Sequence, residues 1–374
     1  MDKKNDLNVI FICSSLEPGH DGVGDYTRRL AAALIKQGGK CGIVSLNERY
    51  LTSTFNGTQQ VDDTDVPVMR IAAPIDIKER FALAKNWIDE FNPQWVSLQF
   101  VPFGYHPKGL KVGLSRLLMP LGRGRKWHIM LHELWVGIAE EESQKLQLWG
   151  KAQRLLIRGL LKNLKPQVLH TQTGLYKTLL AKLGYTVEIL PLFGNIPVVK
   201  QMEENQALDK IAFVVFGAIH DRAPIDDLSA EAAQYAQKHN VPVTLTIMGR
   251  GNSEQQRWAD AWDNAGLPVE LLGEQEPERI SEVLSNSTMG ISATALAVIA
   301  KSGSYAAMRE HGLPVLSVAK PWTPISVSTP EIPEGVIAYQ KGNFEDCITK
   351  SRFIPYSNSV YEVSVKFAQA LSQH

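Results

Sequence analysis

Residues 288–318 read TMGISATALAVIAKSGSYAAMREHGLPVLSV, and this pattern decides the fold. Thr288–Ser292 is short and apolar, as a strand covered on both faces is. The small polar run Lys301-Ser302-Gly303-Ser304 follows, and Ser304 is placed to cap a helix over about Tyr305–Glu310. Gly312 stands where a helix ends in the left-handed conformation, and Leu313-Pro314-Val315-Leu316 opens another strand. The start of such a helix leaves backbone N–H groups without partners at the positive end of its dipole. Two serine hydroxyls, a glycine that admits close approach and the Lys301 charge fit the loop for a phosphate. An ordinary strand-to-helix turn with a surface lysine is the competing reading of the same residues.

The same pattern recurs upstream. Ile211–Phe216 reads as a strand, followed by Gly217, a loop and a helix over about Ile225–Lys238. Val243–Met248 is the next strand, ending at Gly249-Arg250-Gly251, and Val269–Leu272 runs into Gly273-Glu274-Gln275. A helix over Glu278–Leu284 leads to the opening stretch, and a tail helix over about Ser359–Ser372 follows it. Strands alternating with helices predict a mostly parallel sheet. Pro191–Leu208 has two prolines, polar residues and no clear period, and reads as an interdomain linker.

The first half has its own version. Leu7–Cys13 is a continuous apolar run that feeds a loop over Ser14–Gly24, a helix over about Asp25–Lys36 and a strand at Cys41–Leu46. That is the opening of a dinucleotide fold, although the glycine spacing misses Gly-x-Gly-x-x-Gly. Gly22-Val23-Gly24 either brings backbone N–H groups to a ligand or permits tight strand–helix packing. Further strand signals lie at Trp95–Phe100, Trp127–Leu131 and Gln167–Thr171. His132-Glu133 follows one of them directly, on the edge where open α/β sheets bind ligands. There a histidine serves as a hydrogen-bond donor or proton shuttle, or is simply satisfied within the loop. Gln99 and His170-Thr171 hold equivalent strand-end positions. Asp62-Asp63-Thr64-Asp65 has the letters of a metal-binding Asp-x-Asp, but it lies in a polar stretch and reads as a solvated acidic turn.

Composition bounds the rest. The 374 residues suggest two domains, and 44% apolar content supplies proper cores. Lys+Arg and Asp+Glu both number 39, so there is no basic excess of the kind that nucleic-acid binding needs. Cys13, Cys41 and Cys347 have no metal-ligand spacing, which fits a reducing cytoplasm. The first residues lead into a strand and not into a signal peptide or membrane span. Two stretches, 108–126 and 151–165, carry lysines and arginines with no acid and interleave leucines. Each reads either as a solvated face packed on its own domain or as a peripheral contact with an anionic membrane.

In order and spacing these segments resemble the group 1 retaining glycosyltransferases of the GT-B type, family 4 among them. The resemblance is carried by Gly22–Ala31, His132-Glu133, Val215-Phe216-Gly217, Leu245–Gly249, Leu271–Gly273 and Gly312-Leu313-Pro314-Val315. It implies two Rossmann-like domains, with an acceptor domain at 1–190, a linker at 191–208 and a nucleotide-sugar domain at 209–355. It also implies a cleft between the domains and a tail helix, 356–374, that crosses back to the first. The implied reaction moves a sugar from a nucleotide-diphosphate sugar to a sugar or lipid-linked acceptor, in polysaccharide or glycoconjugate synthesis. No metal and no other cofactor is expected. Lys301, Arg222 and His132 are the implied catalytic residues. Gly22, Val23, Gly24, Gly217, Gly249, Glu274, Ser302, Gly303 and Ser304 are the implied donor-binding residues. The family has two glutamates eight positions apart before its Gly-Leu-Pro-Val; here those positions are Ile299 and Ala307. An epimerase of nucleotide sugars on the same fold, or a binding protein without catalysis, remains the alternative.

Overall fold

The computed structural model describes residues 7–199, 209–217, 219, 223–251, 253–325, 327, 332–351, 355 and 359–374. Its elements run β1 Asn8–Cys13, α1 Gly22–Lys36, β2 Lys40–Glu48, β3 Phe55–Val61, β4 Thr64–Ala72, α2 Ile77–Phe91 and β5 Trp95–Phe100. They continue with α3 Pro102–Tyr105, α4 Leu114–Leu118, β6 Lys126–Leu131, α5 Gln144–Leu164, β7 Val168–Thr171, α6 Gly174–Ala181 and β8 Glu188–Ile189. Then come β9 Ile211–Phe216, α7 Ile225–His239, β10 Val243–Met248, α8 Ser253–Asn264, β11 Val269–Gly273 and α9 Pro277–Ser285. The last are β12 Met289–Ser292, α10 Gly303–Glu310, β13 Val315–Ser317, β14 Val336–Ala338, α11 Phe344–Lys350 and α12 Val360–Ser372.

Two compact units result. One takes the chain up to Pro191 together with Pro324–Val327 and Val360–His374; the other takes Leu192–Thr323 and Ser328–Ser359. The second unit is a six-stranded sheet in the order β11-β10-β9-β12-β13-β14, parallel throughout. Numbered from its own first strand, that is 3-2-1-4-5-6, the order of the dinucleotide-binding sheet. The first unit repeats it as β4-β2-β1-β5-β6-β7, with β8 beyond β7 and β3 outside β4. The chain is thus a two-domain α/β protein built from parallel, Rossmann-like sheets.

The elements follow from local chemistry. β1 is buried from Val9 to Cys13, as a central parallel strand must be. Asn92, Lys165 and Asn240 follow α2, α5 and α7 in the left-handed conformation, and each donates its N–H back to the last turn. On α8, Trp258 and Trp262 stand four apart and are fully buried, Trp262 edge-on to Phe213 at 5.9 Å. A buried ion pair fixes the loop after β1. Arg70 on β4 grips Glu48 on β2 with Nε at 3.0 Å and Nη2 at 3.1 Å, and also pairs with Glu17. Glu48 accepts from Ser45, Ser15 and the Leu16 N–H as well. Burial pushes its carboxyl up, but these hydrogen bonds outweigh burial and hold it below the usual range.

Of three expectations, the acidic turn at 62–65 holds, the loop after β1 needs correction and the linker takes a packed form. Asp62-Asp63 is the two-residue turn of an antiparallel hairpin, β3–β4, with φ of 45° and 58°. Such values mark the tight hairpin turn, so the sheet is parallel except at this edge. The loop predicted over Ser14–Gly24 is shorter, because α1 already starts at Gly22. The described part of the predicted linker is not a free spacer. Gly194 N–H donates to Glu310 and Val199 N–H to Ser281, both at 3.0 Å, and Phe193 and Ile196 are buried. Residues 200–208 lie outside the described ones.

Candidate functional site

In the second unit the site residues gather at the carboxyl edge of the sheet. The switch in strand order falls between β9 and β12, where this fold places ligands. Gly217 follows β9 with φ of 94°, and Gly249 follows β10 with φ of 123°. A side chain on Gly249 would stand 3.0 Å from the Gly217 Cα, so the two turns touch backbone to backbone. A Cβ on Gly217 would lie 3.5 Å from Ser304 Cβ. Gly217, Gly249 and the first turn of α10 therefore meet at one point.

The amino end of α10 differs from the sequence reading in one respect. Its cap is Ser302, whose Oγ accepts from Tyr305 N–H at 3.4 Å and lies 3.0 Å from Ser304 Oγ. Ser304 is displaced from the cap because the chain turns one residue pair earlier. A 3-10 helix over Leu296–Lys301 fills what reads as loop and brings Lys301 to the helix start, half-buried. Gly303 faces open space. Gly312 ends the helix at φ of 80°, as its position predicts. Glu274 stands in an exposed ion pair with Arg250 at 2.7 Å, just after β11. Arg222 lies outside the described residues. Ile299 and Ala307 are fully buried and belong to one apolar cluster with Met248, Val214 and Leu313. At these two positions the backbone presents core and no hydroxyl-binding carboxylate.

In the first unit, Asp21 reorders the glycine-rich segment. It caps α1, its Oδ1 accepting from Val23 N–H at 3.0 Å and Gly24 N–H at 2.9 Å. Two of the N–H groups predicted to face a ligand are thus engaged inside the protein. A Cβ on Gly24 would stand 2.5 Å from Ser15 O, which makes this glycine a packing requirement, whereas Gly22 faces open space. Burial pushes the Asp21 carboxyl up against the pull of those two N–H bonds.

His132 follows β6 and is buried, its ring edge-on to Tyr26 at 5.0 Å and its Nε2 2.9 Å from Gln99 Oε1. Burial pushes the Tyr26 hydroxyl up. Behind His132, Gln99 donates to Ser97 at 2.8 Å, Ser97 Oγ lies 2.7 Å from His128 Nδ1, and His128 Nε2 lies 2.9 Å from His170 Nδ1. Burial lowers both histidines, His128 well below its usual value and His170 to about 4. Sequence reading marked Gln99 and His170 but missed Ser97, His128 and Asp21. The available signal was polarity within strands that parallel burial should make apolar.

The basic stretches form one side of the first unit. On α5 the face with Gln153, Ile157, Leu160 and Leu164 is buried, and Lys151, Arg154, Arg158 and Lys162 are exposed. Leu148 and Leu155 share the exposed side at 68% and 69% accessibility, and Val112 before α4 reaches 79%. A cavity of about 110 Å³ opens here, lined by Phe100, Pro102, Lys111, Leu114, Leu156 and Leu160 among others. Among the described residues no helix is long and apolar enough to cross a membrane, and no cluster of three His, Cys, Asp or Glu side chains could hold a metal. The three cysteines are free thiols, all buried.

No family model and no curated protein sequence matches the chain. Solved structures do. It is similar to Anabaena HepE, solved with UDP and glucose, at 13% identity and a TM-score of 0.59, covering 98% of this chain and 100% of that one. It is also similar to α,α-trehalose 6-phosphate synthase from Burkholderia multivorans, at 11% identity and a TM-score of 0.57, covering 98% and 97%. Sucrose-phosphate synthase from Thermosynechococcus elongatus follows at 13% and 0.55, covering 98% and 94%. These are glycosyltransferases of the GT-B type, and at such identities the likeness shows the fold.

Proposed function

We propose that this GT-B protein is a glycosyltransferase that takes a sugar from a nucleotide-diphosphate sugar and passes it to an acceptor. The observation that carries the reading is the meeting of Gly217, Gly249 and Ser304 at the amino end of α10, beside the strand-order switch of the second unit. Glycines there let backbone reach a pyrophosphate, and the helix end with Lys301, Ser302, Gly303 and Ser304 supplies positive potential and donors. Sugar transfer must stabilise a departing diphosphate, and preorganised N–H groups and cations do so without reorganising. A bound metal has no role in this proposal. Arg222 adds a second cation, and Glu274 lies on the nucleoside side. In the first unit, the acceptor domain of the proposal, His132 orients a sugar hydroxyl, and the open face of Gly22 borders the ligand.

Retention of anomeric configuration, polysaccharide or glycoconjugate synthesis and a cytoplasmic setting belong to the same proposal. The exposed leucines among the lysines and arginines of α5 favour a lipid-linked acceptor reached at an anionic membrane surface. Flotation with anionic vesicles at low salt tests that part, and protein left at the bottom of the gradient discards it.

The central test is thermal shift across nucleoside diphosphates, since a ligand raises stability in proportion to concentration over affinity. One nucleotide should raise the melting temperature of the wild type, and Lys301→Ala should abolish most of the rise. Equal shifts in both remove the assignment. The burial of Ile299 and Ala307 favours a second reading, a donor-binding protein without transfer. Slow hydrolysis of the bound donor would count against it.

A further inference from the structure

Five polar side chains cross three neighbouring strands of the first unit on the face that α12 covers. His132 follows β6, Gln99 and Ser97 lie two apart on β5, His128 pairs with Ser97 on β6, and His170 lies on β7. All five are buried. Phe367 of α12 stands edge-on to His128 at 5.0 Å and covers the middle of the cluster. Consecutive members are 2.7 to 2.9 Å apart: His132 to Gln99, Gln99 to Ser97, Ser97 to His128 and His128 to His170.

Each link fixes the next proton. The Gln99 amide donates through its nitrogen to Ser97, so its oxygen faces His132 and must accept from Nε2–H. Ser97 accepts from Gln99 and keeps one hydroxyl proton to give, and His128 Nδ1, at 2.7 Å, is the acceptor that continues the same polarity. His128 then carries its proton on Nε2 and donates it to His170 Nδ1. A single polarity then runs from one end to the other, each of the three rings offering its Nε2–H.

We propose that this chain sets His132 as the neutral Nε2–H tautomer, which makes Ser97, Gln99, His128 and His170 positioning residues for it. The consequence for chemistry is specific. A histidine that acts as a base through proton uptake is steadied by a carboxylate on its far nitrogen. His132 has an amide there, whose oxygen accepts a hydrogen bond but takes no proton, and whose donor end is committed to Ser97. His132 is therefore an orienting group in this proposal, and the buried pair His128–His170 relays no proton to it, because the Gln99 amide lies between them. The tautomer stands independently of the proposed glycosyl transfer; only the use made of His132 rests on that reading.

The test is a long-range proton–nitrogen correlation spectrum of the full chain labelled with ¹⁵N-histidine at pH 7. His132→Gln, His128→Gln and His170→Gln assign the signals. Three neutral Nε2–H patterns are expected. Ser97→Ala should split His132 into two tautomers, Ser97→Thr should restore one, and Thr171→Val should leave the pattern intact. Thr171 is the control because it sits at the same sheet edge and its hydroxyl donates to the Leu131 carbonyl, outside the chain of five. An Nδ1–H or imidazolium pattern at His132 in the wild type overturns the proposal, as does a Ser97→Ala spectrum identical to wild type. If Ser97→Ala fails to fold, the wild-type spectrum alone still decides. Absence of any glycosyl transfer leaves these spectra unchanged and bears only on the function.

Discussion

Replacing Gly24 and Gly22 by alanine, one at a time, separates packing from ligand contact at the start of α1. Both glycines lie in the first turn of one helix, yet their surroundings are opposite. A Cβ at Gly24 would stand 2.5 Å from the Ser15 carbonyl oxygen, a backbone atom tied to the loop that Glu48 anchors. Ordinary contact begins near 3.4 Å. The methyl thus overlaps by nearly an ångström and either helix or loop must move, a cost of about 1–3 kcal/mol for overpacking. Alanine recovers up to ~1 kcal/mol of helix propensity. The net expectation for Gly24→Ala is a loss of about 1–2 kcal/mol, or roughly 2–8 °C for a unit of this size. Gly22 meets nothing, so Gly22→Ala should gain about 0.4–1 kcal/mol, largely through the unfolded chain. Calorimetry or circular dichroism melts of both variants read the difference. Shifts of the same sign, or Gly24→Ala melting at or above wild type, would refute the packing argument. If both glycines served a ligand alone, the variants would melt alike and lose only their response to nucleotide.

Other expectations follow from the same structure. Arg70→Ala leaves Glu48 buried without its cation and should cost about 3–5 kcal/mol in urea unfolding; a loss below about 1 kcal/mol would mean the pair is hydrated. His170 titrates near 4 in the folded chain against 6.5 as a free side chain, so the unfolded state binds more protons between those values. Stability is therefore complete above pH 6.5 and falls as the pH drops toward 4, by roughly 3 kcal/mol for this residue. His170→Gln should flatten that part of the stability–pH curve, and an unchanged slope would remove His170 as its cause. Gly249→Ala puts a methyl at φ of 123° and 3.0 Å from Gly217, so it should abolish the nucleotide-dependent thermal shift and lower the melting temperature without ligand. A normal shift in that variant would move the donor site elsewhere.

The sequence was most legible where burial imposes a pattern. A continuous apolar run located β9 to the residue, as burial on both faces requires, and β5 and β10 were bounded equally well although Ser97, Gln99, Thr244 and Thr246 interrupt them. The edge hairpin β3–β4 was missed because Asp62-Asp63 supplies its turn where Asn-Gly or Asp-Gly would have announced it. β14, with three residues, is too short to carry a period. At the site, Gly217, Gly249 and the α10 loop could be found because glycines at strand ends have few other uses. The cap could not, since Ser302 and Ser304 are chemically alike and only the preceding 3-10 helix chooses between them. Asp21 was hidden by the glycines beside it, which suggested open backbone where a carboxylate closes it. The buried polar chain behind His132 depends on cross-strand register, which no single segment records.

α12 belongs to the first unit, although the chain reaches it only after tracing the second. Until it arrives, Phe11 and His128, which Phe367 covers, lie uncapped on a sheet whose strands were all translated long before. A growing polypeptide therefore holds a nearly complete first unit with an open apolar face throughout synthesis of the second. That face can close only once α12 has been made.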